Sequence, residues 1–481
     1  MSQDNIQPNN PGVLKKMHDE CLFQCAFPSD KAMQANVKKA LEQISTITNR
    51  FYQNGNTAKQ QAMMASGIAN TELFCSYSST IARWLVQKFP GSVELGGSDA
   101  PVETVRNILQ ALLPVVEYEK SSQGEGTLPA RIKFISGLRH PGAQLNWLLQ
   151  LFNDSHLPEL VKEELYNQLK VFVRWKLDNG NYSRTFLEWP VKTGFYQSDF
   201  IKQVNTAELV KQKLSAPVQL KPAEKTALLD TMKASLAFLY RETDPVTYGD
   251  INELELFDMG RGLQIALIGM KKERRLALET YIGFMAFKNG IPVSYGGGWM
   301  WGNRCKIGVN IYPAFRKGES AWLFCQVMRL YYQHYGMRYF SVKPYQFGKG
   351  NPEGIKSGAF WFYYKFGFRP VDTAIAEQAK FEYQKIKTRK NYRSSAKTLV
   401  SFTEGNIALN LGNSIPADVS LISAKVLSQI KKDWKNNYLH ARKLAVESFC
   451  SNVQLKVGDL SKPEIKILED IALWAMTLQI T

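Results

Sequence analysis

Cysteine and histidine are scarce in this 481-residue chain, and neither is clustered. The six cysteines, at 21, 25, 75, 305, 325 and 450, make no disulfide framework and no zinc spacing, and the five histidines are as dispersed. His18, Cys21 and Cys25 come nearest to ligand spacing, but they share one short segment with no second cluster, so no metal is expected. Long hydrophobic runs are absent as well. No stretch approaches the roughly 18 uncharged apolar residues that cross a bilayer, and the opening MSQDNIQPNNPG lacks the charged-then-apolar order of a signal peptide. The expectation is a cytoplasmic protein, with a peripheral position at a membrane surface left open. No fixed repeat period emerges, so a solenoid has no support.

What the chain has in excess is positive charge. Lys and Arg number 60 against 43 Asp and Glu, a formal net charge of +17. With 44% apolar and 12% aromatic residues it has enough hydrophobic surface for large cores, and its length suits two or three domains. The surplus speaks to partners and not to fold. Three kinds of anion qualify: nucleic acid, an anionic membrane face, or a phosphorylated cofactor or acidic carrier protein.

The pattern divides the chain. Residues 1–30 read as a polar tail, and 31–250 as a helical domain with apolar residues at three- and four-residue steps, including a helix over Leu160 to Trp175. Breaks fall at Pro90-Gly91, Gly124 to Gly126, His140-Pro141-Gly142 and Asp244-Pro245. The texture changes near Arg275, where residues 276–287 alternate with a strand period. Lys288-Asn289-Gly290 supplies a turn and Ile291 to Tyr295 a returning strand, making a hairpin. Lys306 to Tyr312 reads as a third strand, Glu319 to Tyr335 as a helix, Arg338 to Val342 as a strand and Asn351 to Phe366 as a second helix. Residues 251–372 thus form a mixed α/β domain, and 373–481 a helical C-terminal region. The fold class is α+β.

Chemistry is expected in the mixed block. A strand, a glycine-containing loop and a helix bind a pyrophosphate through loop amides and the helix dipole. Here that unit is Asn310 to Ala321, with Arg316 and Lys317 beside Gly318. FRKGESAWLF at 315–324, GAFWFYYKFGFRPV at 358–371 and the order of elements around them resemble the acetyltransferase superfamily known as GNAT, over about residues 255–372.

That resemblance implies an acyltransferase moving an acyl group from acetyl-CoA, a longer acyl-CoA or an acyl carrier protein to an amine. It implies that the third strand splays from the next and offers Gly308 to Tyr312, Asn310 and Ile311 among them, to the donor. The loop amides of Lys317, Gly318, Glu319, Ser320 and Ala321 would hold the pyrophosphate, with charge from Arg316 and Lys317. Tyr363, four residues before Gly367, would protonate the departing thiol, and Glu279 on the hairpin strand would be the base. Asn351 is explained by capping the last helix ahead of Pro352, with a ligand role left open.

Tyr295, Trp299, Trp301 and Tyr312 line an acyl or acceptor channel, or join the α/β block to the helical domain; the second is favoured. His334 is expected to be structural. The segment 380–397 carries seven cations and one acid with Phe381, Tyr383 and Tyr392 interleaved, but no recognised nucleic-acid motif. The alternatives to an enzyme are an inactive GNAT-like scaffold, or a basic binder of nucleic acid or a membrane surface.

Overall fold

The computed structural model describes residues 10–479 apart from 56, 179, 277, 414 and 416. It is a mixed α/β molecule with a three-stranded and an eight-stranded sheet and helical segments at both ends.

The three-stranded sheet corrects the expectation that 31–250 is wholly helical. Strands β1 (Glu72–Cys75), β2 (Val93–Ser98) and β3 (Val171–Lys176) pair antiparallel in the order β1-β3-β2. β3 lies inside the run read as one helix. The helix Glu159–Gln168 stops, Lys170 takes a positive φ of 46°, and Val171, Val173 and Trp175 then turn inward while Phe172, Arg174 and Lys176 face out. That is a strand period, hidden at the end of an apolar helical pattern. Trp175 is 1% exposed and packs on Phe89 and Phe238, with ring centroids 4.8 and 5.2 Å away.

The large sheet comprises β4 (Gly249–Asp258), β5 (Leu263–Met270), β6 (Thr280–Lys288), β7 (Ile291–Trp301), β8 (Arg304–Ile311), β9 (Tyr339–Val342), β10 (Arg369–Pro370) and β11 (Ile407–Asn410). Their order is β10-β11-β9-β8-β7-β6-β5-β4, antiparallel from β4 to β8 and parallel between β8 and β9. The hairpin about Asn289-Gly290 is present, with Lys288 opposite Ile291. It starts at Thr280, and β4 and β5 precede it where no strand was expected. LQIALIGM in β5 shows no alternation because both faces of the sheet are covered.

Two further expectations change. The region 373–481 is not wholly helical, since β11 enters the sheet between β9 and β10. The polar tail contains a helix, Pro11–Ala26, capped by Asn10, whose side chain accepts from Gly12 N at 2.8 Å. Leu14, Leu22 and Cys25 on it are buried in the main core; residues 1–9 lie outside the described residues.

Helices cover both faces of the large sheet. On one face Phe324 and Tyr331, from the helix Ser320–His334, share a core with Ile282 and Phe284 of β6. On the other, Leu228 and Met232 of the helix Pro222–Ala237 meet Met285 and Phe287. Each such side chain contributes about 1.5–3 kcal/mol by leaving water. At the C-terminus the helices Val419–Trp434, Tyr438–Val453 and Lys462–Leu478 close over a small core that includes Ile430, Ala441 and Ala472. No helix among the described residues is long and apolar enough to cross a membrane.

Candidate functional site

The one parallel contact in the large sheet opens soon after it begins. β8 and β9 pair only through Arg304–Tyr339, Cys305–Phe340 and Lys306–Ser341. Beyond Lys306 the chain of β9 turns off at Lys343-Pro344 into a short 3₁₀ turn, Pro344–Phe347, while β8 stays on β7 as far as Ile311. Tyr312 N–H donates to Val293 O at 3.0 Å, so the alternate residues Val309 and Ile311 direct their backbone groups to the vacated edge, where Arg316 Nε donates to Ile311 O at 3.2 Å. Two hollows flank this free length of β8, one on each face of the sheet. Asn310 and Gln346 line both.

The first hollow, about 870 Å³ and open to solvent, is bounded by Val309 and Ile311, Ser320, Gly354 and Tyr363. Its floor at one end is the start of the helix Ser320–His334. Glu319 makes no side-chain cap there, and among the described residues nothing accepts from the Ser320, Ala321 or Trp322 amides, whereas Leu323 N–H already bonds Glu319 O at 2.9 Å. An uncapped helix start of this kind presents partial positive charge.

Glu319 itself points away from the hollow. Its carboxylate, 3% exposed, meets Lys288 Nζ at 2.9 Å and Arg261 Nη2 at 3.0 Å, and accepts from Ile201 N–H at 3.1 Å. Burial pushes this carboxyl up, but the bonds from Lys288, Ile201 and Arg261 outweigh it and hold it below the ordinary range. The turn lysine Lys288 is thus buried and anchors the loop from behind. Gly318 is a glycine for contact reasons: a Cβ there would lie 2.5 Å from the Phe27 ring. Lys202 donates to the carbonyls of Lys317 and Gly318. Of the two loop cations, Arg316 pairs with Glu353 at 2.5 Å and Lys317 is exposed with no acidic partner among the described residues.

Tyr363 sits on the helix Ala359–Lys365, which is separated from Pro352–Ser357 by Gly358 in the left-handed region, so the single helix expected over 351–366 is two. Its ring packs edge-on against Phe324 at 5.6 Å and is 3% exposed. The hydroxyl has no hydrogen-bond partner among the described residues. Burial pushes its pKa well above the phenol range, so it keeps its proton at any physiological pH.

The second hollow, about 520 Å³, lies on the opposite face, over Tyr281, Gly297, Trp299 and Lys306. Tyr281 and Trp299 stack, with centroids 4.0 Å apart and planes 10° from parallel. Gly297 allows this, because a Cβ would fall 2.5 Å from the Tyr281 ring. Glu279 stands just before β6 and is ion-paired to Lys306 at this hollow's edge.

Other expected residues have structural duties. Asn351 Oδ1 accepts from Gly354 N–H at 3.3 Å as the helix cap. His334 Nε2 meets Glu255 at 2.7 Å, away from both hollows. Tyr312 bonds Ser235 at 2.9 Å and does join the block to the N-terminal region, whereas Tyr295 and Trp299 line the second hollow. In the basic segment Tyr383 stacks on Trp361 and Tyr392 bonds Glu382, so those aromatics serve packing while Lys380, Lys387 and Lys390 stay exposed. Among the described residues no group of His, Cys, Asp or Glu is placed to hold a metal. Sequence reasoning missed Gln346 and Lys343, which no motif marks; the Pro344 that bends the chain there was the available signal.

No protein-family model matches the chain, and no curated protein or solved structure is detectably similar to it.

Proposed function

We propose that this chain is a GNAT-like acyltransferase that moves an acyl group from acyl-CoA, or from an acyl carrier protein, to an amine. The observation that carries the reading is the divergence of β8 from β9 after Lys306, with a backbone edge free apart from the Arg316 bond to Ile311 O, uncapped helix amides and a buried phenol around one hollow. The pantetheine amides pair with Val309 and Ile311, and the pyrophosphate meets the Ser320 and Ala321 amides with Lys317 beside them. Arg316 exchanges Glu353 for a phosphate oxygen.

The amine nitrogen attacks the thioester carbonyl carbon, the new C–N bond forms, and the C–S bond breaks with its electron pair on sulfur. Tyr363 gives its proton to that thiolate and recovers one from water. The amine's own proton leaves to water or to Glu279, which is ion-paired to Lys306. The carrier-protein form of the donor draws support from the exposed cations of 380–397, a segment whose Tyr383 and Ser394 contact Trp361 on the helix bearing Tyr363.

Acetyl-CoA and longer acyl-CoA thioesters at 100 times their dissociation constant are expected to stabilise the folded chain by about 2.7 kcal/mol. Absence of any thermal shift with these thioesters and with acyl carrier protein overturns the reading.

A further inference from the structure

We infer that the second hollow is the acceptor subsite, and that the acceptor is an amine carrying a compact anion, carboxylate or phosphate, on a flat apolar body. Its role as acceptor rests on the acyl-transfer reading; its binding chemistry does not. Two lysines and no carboxylate line it. Lys306 is already neutralised by Glu279, but Lys343 is exposed and has no acidic partner among the described residues. One positive charge therefore faces the hollow uncompensated, which favours an anionic group and opposes a plain cationic amine.

The floor is apolar and planar. Tyr281 and Trp299 stack at 4.0 Å, with the Tyr281 ring lying over Gly297, where a Cβ would fall 2.5 Å from it. Such a shelf takes a ring or another flat group by stacking. Between shelf and cation stand Thr243, Asn310 and Gln346, whose side chains make no hydrogen bond among the described residues. Gln346 lies against Gly308, where a Cβ would be 3.1 Å from its Nε2. Gln346 is half-buried, and an amide so placed without a partner is costly unless a ligand or water completes it, whereas Asn310 is exposed. Asn310 and Gln346 also border the donor hollow, so an acceptor held here delivers its amine through the gap between β8 and β9.

The experiment is calorimetric titration of the full chain, without donor, using L-tryptophan, tryptamine and glycine as probes. Tryptophan has ring and carboxylate, tryptamine lacks the anion, and glycine lacks the ring. Tryptophan is expected to bind at least about 10-fold more tightly than either, each factor of ten being about 1.4 kcal/mol. Lys343→Gln, on an exposed residue without partners, is expected to abolish the preference over tryptamine; Trp299→Leu should abolish that over glycine. Equal binding of the three probes, or discrimination that survives Lys343→Gln, overturns the inference. A thermal shift with acyl-CoA but no probe discrimination sinks this inference and leaves the transferase reading standing. Lys343-dependent tryptophan binding with no response to any thioester or carrier does the reverse.

Discussion

The two sheets of this protein differ in how fully their polar groups are used. In the three-stranded sheet the central strand β3 is paired on both sides, and the charges on its outer face answer one another: Arg174 meets Glu94 at 3.2 Å and Glu72 at 3.9 Å, and Lys176 meets Glu94 at 3.8 Å. In the eight-stranded sheet β8 abandons β9, and the edge left behind adjoins a lone phenol, two unpartnered side-chain amides and a helix start without a cap. Buried or half-buried polar groups are normally satisfied. The outer charges of the small sheet are matched within the protein, whereas the open polar groups of the large sheet gather beside a hollow, which makes the second sheet the candidate place for a ligand.

The largest expected effect lies behind the cleft. Lys288→Met removes one partner of a buried ion pair and leaves Glu319 leaning on Arg261, which is expected to cost about 3 kcal/mol of stability by chemical denaturation. It should also loosen the loop that offers the Ser320 amides, weakening donor binding.

A similar loss is expected from acid alone, through the N-terminal helix. His18 is fully buried beside Thr185, and desolvation lowers its pKa to about 4 despite the carboxylate of Asp19. The unfolded chain takes up this proton near pH 6.5, whereas the folded chain refuses it until about pH 4. Stability should therefore fall as pH drops through that window, by about 3 kcal/mol in total. In His18→Asn the slope of stability against pH between those values should flatten.

Tyr363→Phe should change stability by less than about 1 kcal/mol, because the hydroxyl bonds nothing in the protein. If the phenol is the acid, steady-state turnover should fall about 100-fold or more while donor affinity holds. Unchanged turnover removes Tyr363 from the chemistry. The smallest effect belongs to the scaffold: Arg174→Gln should shift stability by about 1 kcal/mol and leave transfer unaltered, as expected of a part-buried ion pair remote from both hollows. A large catalytic loss there would break the distinction between the sheets.

Much of the mixed block is legible in the sequence because its signals are local. The turn at Asn289-Gly290, the alternation in β6 and β8 and the cap at Asn351 all follow from short-range pattern, whereas Tyr363 is marked only by the family resemblance. β3 and β11 escape it. β3 follows an apolar helix with only Lys170 marking the change, and β11 is four residues whose pairing with β9 and β10 is long-range. β5 is obscured because burial on both faces erases alternation, whereas β4 keeps it over only Glu253 to Leu256. The site is half legible for the same reason. Residue type and order point to the loop and the tyrosine, but that Glu319 turns inward to Lys288, or that Gln346 and Lys343 lack partners, is a tertiary fact that no single-residue preference encodes.

Hydrogen exchange of individual amides, with and without saturating acetyl-CoA, tests the central claim most directly. Protection is predicted at Val309 and Ile311 on the free edge of β8 and at Ser320 and Ala321 at the helix start, with Val171–Lys176 unchanged. Donor binding that leaves those four amides exchanging at their free rate would contradict the account.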